Sequence, residues 1–268
     1  MTEDAGAPYA TVESADGTAI GYARIGHGPV PLVVVHGALS AGSQWVPVAE
    51  ALGDACTCHV VDRWGRGGSG EHPAYGVERE VDDVLAVLDI AGPDAVLMGH
   101  SSGAIYALEA ALRRRLAGLI LYEPPIHGFH GRFVREIWGR IRAAADRGDY
   151  EAVVSIFLTE EAELPPGLLS AIRERPLWQL QVAMAPNSVR EWEALVRQAP
   201  TVDRYRDVAA PTLLLGGAET GAHPSFATRA LAAALPDARV SLLEGQGHAA
   251  HMTAPHRLAA EIGAFVGH

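Results

Sequence analysis

The chain has 268 residues, 49% of them hydrophobic and 20% charged, and its formal net charge at pH 7 is −11. This length and composition suit one large α/β domain with an inserted subdomain, and the negative charge argues against nucleic acid or an anionic membrane surface as a partner. The apolar runs are shorter than the ~20 residues of a membrane-spanning helix, and the acidic start MTEDAGAPYA lacks the pattern of a signal peptide, so we expect a cytoplasmic protein.

The first half of the chain alternates between strand and helix patterns. Apolar and polar residues alternate on both sides of Asp16 and Gly17, which predicts an antiparallel hairpin over residues 9–26. Continuous apolar runs predict buried strands, and helical patterns lie between them. The predicted strands are 31–37, 56–62, 95–98 and 116–123, and the predicted helices are 45–52, 77–88 and 104–112. This order indicates a parallel sheet with helices on both faces.

The pattern changes after Glu123. From there to residue 207 we find amphipathic helical segments without a strand run, punctuated by prolines at positions 165, 166, 176, 186 and 200. Strands at 211–217 and 238–245 and helices at 227–236 and 254–266 then resume the earlier order. We therefore predict an α/β core over residues 1–123 and 208–268 and a helical cap, or lid, over residues 124–207.

The chain has two cysteines, Cys56 and Cys58. They flank one residue of a predicted strand, so their side chains point the same way in a geometry that is poor for a disulfide. With His59 they could ligate a metal, but no matching Cys/His cluster occurs elsewhere in the sequence. We interpret them as core thiols of a reducing compartment and expect no metal and no cofactor.

The pentapeptide Gly99-His100-Ser101-Ser102-Gly103 lies between a predicted strand and a predicted helix. It fits the pattern G-x-S-x-G, in which a sharp turn exposes the serine hydroxyl above the carboxyl edge of a sheet. The helix that follows directs backbone N–H groups and the positive end of its dipole to the same place. Ser101 is therefore the candidate nucleophile, and a close-packed turn of small residues is the alternative interpretation.

A serine hydroxyl needs a base and a carboxylate that orients the base. His248, in the glycine-flanked segment EGQGHAAHM after the last strand, is favoured as the base over His251 because it fits the chain order serine, acid, histidine. Glu123 is favoured as the acid because it ends a strongly apolar strand, where a buried charge needs a reason. Glu219, in LLLGGAETG, is the alternative acid, and a structural role for Glu123 as the cap of a helix stays open.

An oxyanion hole needs two backbone N–H groups directed at the developing charge. We expect one from Ser102, directly after the candidate nucleophile, and one from Ala38 in the loop after VVVHG, which His36 would brace. The glycine-rich segment DRWGRGGSG lacks the Lys-Ser/Thr ending of a phosphate-binding loop, so we interpret it as a structural turn.

The segments VVVHGALSAGSQW, VVDRWGRGGSG, LMGHSSGA, PTLLLGG and GQGH together resemble α/β-hydrolase-fold proteins over nearly the whole chain. The resemblance implies a mostly parallel sheet with helices on both faces, an inserted helical cap, and a triad of Ser101, His248 and a carboxylate. GGAETG departs from the commonest pattern because Thr220 stands where the aspartate would align. The acid in YEPP resembles that of zearalenone-type lactonases and haloalkane dehalogenases, but Ser101 argues against the dehalogenases and epoxide hydrolases, which use an aspartate nucleophile.

The resulting hypothesis is a serine hydrolase that cleaves a small to medium, largely apolar carboxylic ester or lactone through an acyl-enzyme. Its partner would be a small-molecule substrate, bound by apolar side chains of the cap and the oxyanion loop. The candidate substrate-binding residues are Trp178, Phe129, Met184 and Leu39. Two alternatives stay open: a C–C hydrolase, lyase or cyclase on the same scaffold, and a ligand-binding module with vestigial catalysis.

Overall fold

A mixed sheet organises the chain, for which the computed structural model describes residues 9–72, 74–126, 131, 133–162 and 168–267. Within these residues, the strands follow the spatial order β1-β2-β4-β3-β5-β6-β7-β8. Their bounds are β1 Tyr9–Glu13, β2 Ala19–Ile25, β3 Val30–Val35, β4 Cys56–Val61, β5 Val96–His100, β6 Gly118–Tyr122, β7 Thr212–Gly217 and β8 Ala238–Leu243. The pairs β1–β2 and β2–β4 are antiparallel and all the others are parallel, which confirms the predicted mostly parallel sheet.

Helices cover both faces of this sheet, as predicted. The helices are α1 Val46–Ala51, α2 Val77–Ala91, α3 Ser102–Arg113, α4 Gly139–Ala145, α5 Tyr150–Ile156, α6 Leu168–Arg173, α7 Pro176–Gln198, α8 Ala222–Ala234, α9 Ala250–Thr253 and α10 Pro255–Val266. Helices α1 and α10 pack together on one face, and α2 and α3 on the other. Among the described helices, none is long and apolar enough to cross a membrane.

Strand β3 shows why the central strands are continuous apolar runs. Leu32 and Val34 pack in the core cluster that contains α1 and α10. Val33 and Val35 point the other way, into the cluster that contains α2 and α3. Because successive side chains of a strand alternate between the two faces, a strand covered on both faces needs an apolar residue at every position.

Helices α4 to α7 occupy the chain between β6 and β7, together with π-helical turns at Phe133–Trp138 and Phe157–Glu161. The division into a core and a separate cap stays a prediction.

Pro176 begins α7, as a proline at the first helical position can. Pro186 lies inside α7, which continues through it. The side chain of Asn187, next to this proline, donates a hydrogen bond to the carbonyl of Gly65 at 2.7 Å. Pro165 and Pro166 lie outside the described residues.

Candidate active site

The turn between β5 and α3 holds Ser101 in a strained backbone conformation, with φ 54° and ψ −128°. Its N–H donates to the carbonyl of Tyr122 at 2.9 Å, which ties the turn to the end of β6. A Cβ on Gly99 would lie 2.5 Å from Cα of Ala104, and a Cβ on Gly103 would lie 2.4 Å from the carbonyl oxygen of Val35. The two glycines of the motif are therefore required by the close approach of strand and helix on either side of Ser101.

Glu123 and His248 meet at the carboxyl edge of the sheet. Glu123 follows β6 directly, has φ 49°, and is 2% exposed. Its Oε2 lies 2.5 Å from Nδ1 of His248, in the loop after β8. Its Oε1 accepts hydrogen bonds from the N–H of Gly217 at 2.7 Å and from the hydroxyl of Thr220 at 2.5 Å. Thr220, which cannot itself serve as an acid, thus helps to hold Glu123, the candidate acid at the end of the neighbouring strand.

The surroundings of Glu123 favour its ionised form. Burial raises the pKa of this carboxyl. The hydrogen bond and charge of His248 and the donors Gly217 and Thr220 lower it by more, so the pKa lies below its ordinary value. A carboxylate accepts hydrogen bonds only, so Nδ1 of His248 carries the proton in this contact. Nε2 of a neutral His248 then has a free lone pair that can accept a proton.

Two side chains from the strand ends hold the loop that carries His248. Nε2 of His100 lies 3.1 Å from the carbonyl oxygen of His248. Burial keeps the pKa of His100 well below its ordinary value, so its ring is neutral and donates from Nε2. The hydroxyl of Tyr122 donates to the carbonyl of Gly247 and accepts from the N–H of Ala250 at 3.1 Å. Sequence reasoning missed the roles of His100 and Tyr122, although they directly precede Ser101 and Glu123.

His248 and Glu123 differ from the alternatives His251 and Glu219 in their exposure and in their contacts. The side chain of His248 is 45% exposed and contacts Glu123. His251 is 3% exposed and stacks on Trp45, with ring centroids 4.8 Å apart and planes 6° from parallel. Burial and the nearby His248 lower the pKa of His251 to about 3. Glu219 is exposed, and its backbone N–H donates to the carbonyl of Gln246.

The loop after β3 lies against Ser101. A Cβ on Gly37 would be 2.8 Å from Cβ of Ser101. His36 braces this loop, since its Nδ1 donates to the carbonyl of Gly37 at 2.8 Å and its Nε2 accepts from the N–H of Arg63 at 3.2 Å. Ala38 follows in this loop, and Ser102, buried, opens α3. Ser102, one candidate oxyanion donor, therefore adjoins the candidate nucleophile, and Ala38, the other, follows the glycine that lies against it.

The candidate substrate-binding residues are mostly buried. Trp178 is 2% exposed, with the guanidinium of Arg173 5.1 Å from its ring centroid. Met184 and Leu39 are also buried, and Phe129 lies outside the described residues. The substrate-binding role of all four stays a prediction.

The two cysteines are buried free thiols in the apolar cluster that contains α1 and α10. Across the residues that the structure describes, no group of three or more His, Cys, Asp or Glu side chains could hold a metal ion.

The sheet order, the strained turn at Ser101 and the Glu123–His248 contact together define the class of protein. Residues 32–261 match the model of the alpha/beta hydrolase family. The chain belongs to this family, as the resemblance of its motifs implied.

Several proteins are similar to this chain over most of its length. An alpha/beta hydrolase from Sphaerobacter thermophilus DSM 20745, of known structure, is 34% identical with a TM-score of 0.85 and covers 96% of this chain and 99% of its own. A pimeloyl-[acyl-carrier protein] methyl ester esterase from Xanthomonas axonopodis pv. citri (strain 306) is 27% identical over 232 residues, which are 84% of this chain and 90% of the esterase. The structure of an N-acyl homoserine lactone degrading enzyme is 25% identical with a TM-score of 0.76 and covers 96% of this chain and 100% of its own.

Proposed function

We propose that this chain is a serine hydrolase that cleaves a small to medium, largely apolar carboxylic ester or lactone through an acyl-enzyme. The contact of 2.5 Å between Oε2 of Glu123 and Nδ1 of His248 carries the proposal. It lies at the sheet edge that also presents Ser101 in its strained turn. A buried carboxylate that orients an imidazole beside a serine is the arrangement that nucleophilic catalysis by serine requires.

Each group has a defined role in the proposed reaction. Oγ of Ser101 attacks the carbonyl carbon while Nε2 of His248 takes its proton, and Glu123 stabilises the imidazolium that forms. The backbone amides of Ala38 and Ser102 hold the oxyanion of the tetrahedral intermediate. His248 then returns the proton to the leaving alcohol oxygen as the carbon–oxygen bond breaks. In the second half, His248 takes a proton from a water molecule that attacks the acyl carbon. It then returns this proton to Oγ of Ser101 as the bond between Oγ and the acyl carbon breaks and the acid leaves.

The similar proteins support an ester or lactone as the substrate class. One is named for a methyl ester and another for an acyl homoserine lactone. Both substrates present a carbonyl carbon with an oxygen leaving group, so one set of catalytic groups serves both. A lactone differs in that its leaving alcohol stays attached to the acyl group throughout, so that water releases a single hydroxy acid.

Labelling with a fluorophosphonate, followed by mass spectrometry of the labelled peptide, tests the nucleophile. We expect the label on Ser101 in the wild type and none in Ser101→Ala, which should fold normally because the change removes one partly exposed oxygen atom. Turnover of a panel of p-nitrophenyl esters and acyl lactones should disappear in the same variant.

Three outcomes contradict the proposal. A folded wild type that takes no label would indicate a ligand-binding module. Ester turnover that survives in Ser101→Ala would exclude Ser101 as the nucleophile. A labelled Ser101 without turnover of any ester or lactone would indicate another reaction on the same groups, such as C–C bond hydrolysis.

A further inference from the structure

Helix α7 touches the loop that carries the proposed oxyanion donor Ala38. The hydroxyl oxygen of Ser188, on α7, accepts a hydrogen bond from the backbone N–H of Leu39 at 3.1 Å. It also accepts one from Nη2 of Arg66 at 3.3 Å. Ser188 is 0% exposed and Leu39 3% exposed, so water does not substitute for this contact. The contact joins residues 149 positions apart in the chain.

The backbone at Leu39 depends on such a partner. Its φ is 50°, a left-handed conformation that costs a leucine free energy. The N–H of Leu39 belongs to the peptide plane that it shares with Ala38. A fixed direction of this N–H therefore restrains that plane. The plane meets the one that carries the N–H of Ala38 at Cα of Ala38, so the contact also restrains the direction of the Ala38 amide.

A buried cluster of charges fixes α7 at this place. Glu191 lies three residues after Ser188, within reach of two guanidinium groups. Its Oε1 is 3.0 Å from Nη2 of Arg63, and its Oε2 is 2.8 Å from Nη2 of Arg66. Burial raises the pKa of Glu191, but the charges of Arg63 and Arg66 and the hydroxyl of Ser102 lower it below its ordinary value. Because a paired buried charge is costly to separate, the helix has little freedom to slide.

We propose that Ser188 is a positioning residue that sets the oxyanion hole from helix α7. The inference rests on the proposed function, because it assigns to Ala38 the stabilisation of an oxyanion. Donors act only when they lie about 2.7–3.1 Å from the oxyanion, and a misplacement of about 1 Å can cost about 10² in rate. Ser188 acts through Leu39 and touches no reacting atom. The hole is complete only while α7 is seated on the core.

A pair of variants on neighbouring residues tests the inference. Ser188→Ala removes the partner of Leu39, whereas Asn187→Ala removes a contact of the same helix with Gly65, outside the oxyanion loop. With p-nitrophenyl butyrate, we expect Ser188→Ala to lower kcat about 10- to 100-fold with KM within about twofold of the wild type. Asn187→Ala should keep kcat within about threefold, since it leaves the donors in place.

A rescue variant separates positioning from general damage. Ser188→Thr keeps the hydroxyl and should restore most of kcat, and thermal unfolding shows whether each variant folds. If Ser188→Ala does not fold, Ser188→Cys takes its place, because it is nearly isosteric and its sulfur is a weak acceptor. The inference is overturned if the alanine variants of Ser188 and Asn187 lose kcat equally, or if Ser188→Ala changes KM alone.

The rate of fluorophosphonate labelling at Ser101 distinguishes this failure from failure of the proposed function. If the wild-type Ser101 takes no label, the proposed function fails and the inference falls with it. If Ser101 is labelled equally fast in the wild type and in Ser188→Ala, and kcat is also unchanged, the inference alone is wrong. Slower labelling of Ser188→Ala, in proportion to its loss of kcat, supports both.

Discussion

Glu123 and Glu191 are both glutamates with almost no exposed surface, at 2% and 0%, yet they face different partners. Glu123 contacts His248, whose side chain is 45% exposed. Glu191 contacts Arg63 and Arg66, whose side chains are 0% exposed. In both cases the partners outweigh the effect of burial and bring the pKa of the carboxyl below its ordinary value.

The difference in partner decides what each carboxylate can do. An arginine stays protonated at any pH that a protein tolerates, so the pairs of Glu191 are permanent and serve to join α7 to the core. A histidine gains and loses a proton near neutral pH, so the charge opposite Glu123 can change during a reaction. A buried carboxylate therefore indicates chemistry only when the group beside it can exchange a proton and is open to a substrate.

Replacing the acid beside His248 should have the largest effect on activity. In Glu123→Gln, the amide can no longer stabilise an imidazolium, and its NH₂ group can donate to Nδ1 and so favour the wrong tautomer. We expect kcat for p-nitrophenyl butyrate to fall by about 10⁴, the order known for an acid-to-amide change in a serine triad. The rate of fluorophosphonate labelling at Ser101 should fall with it.

Glu219→Gln is the matched control for this change. Glu219 is exposed, and its backbone rather than its carboxylate holds the loop through Gln246. Its kcat should stay within about twofold of the wild type, as for most surface substitutions away from special features. A large loss in Glu219→Gln with normal turnover in Glu123→Gln would reverse the assignment of the acid.

Removing the charge of Glu191 should act on stability. In Glu191→Gln, Arg63 and Arg66 keep two buried positive charges, and Glu80 is the carboxylate that stays paired with both. We expect a loss of about 3–5 kcal/mol in the free energy of unfolding, as is usual when one partner of a buried ion pair is removed. Urea titration at neutral pH measures this loss.

Glu109→Gln is the comparison for the buried cluster. Glu109 pairs with Arg204, whose side chain is 50% exposed and can return to water when its partner is lost. Glu109 itself is buried and also accepts hydrogen bonds from Gln198 and Tyr205, so the loss in Glu109→Gln should be about 1.5–3 kcal/mol, the range for hydrogen bonds to a charged group. Equal losses in the two variants would mean that the cluster of Arg63, Arg66 and Glu191 has no special role in seating α7.

The sequence predicts the local parts of this site better than the long-range ones. The turn at Ser101 is visible because Gly99 and Gly103 have a local steric cause, the approach of α3 to β3 and β5. Glu123 is visible because a charge at the end of an apolar strand is unusual. Both signals lie within a few residues of the group that they identify, and so they can be read along the chain.

The contacts of α7 leave no such signal. A helical pattern around Ser188 and Glu191 predicts an apolar face, but it does not say which loops that face meets. The partner of Ser188 lies 149 residues away, and its choice depends on how the chain between β6 and β7 returns to the core. Pro186 likewise gives no sign of these contacts, since α7 continues through it and Asn187 beside it contacts Gly65.

His251 is a third buried ionisable group, and it differs from the two glutamates because it has no ion pair among the described residues. Within the described residues, neither of its ring nitrogens has a hydrogen-bond partner, and its pKa is lowered from 6.5 to about 3. The unfolded chain binds a proton at this residue below pH 6.5 while the folded chain does not, so the wild type loses stability as pH falls from 6.5 towards 3.

In His251→Phe, which keeps the stack on Trp45, this loss is absent. Between about pH 7.5 and about pH 5.5, the variant should therefore gain about 1.4 kcal/mol in free energy of unfolding relative to the wild type. Urea titrations at the two pH values measure the change, and no relative gain for His251→Phe between them would mean that His251 is protonated in the folded protein at the lower pH.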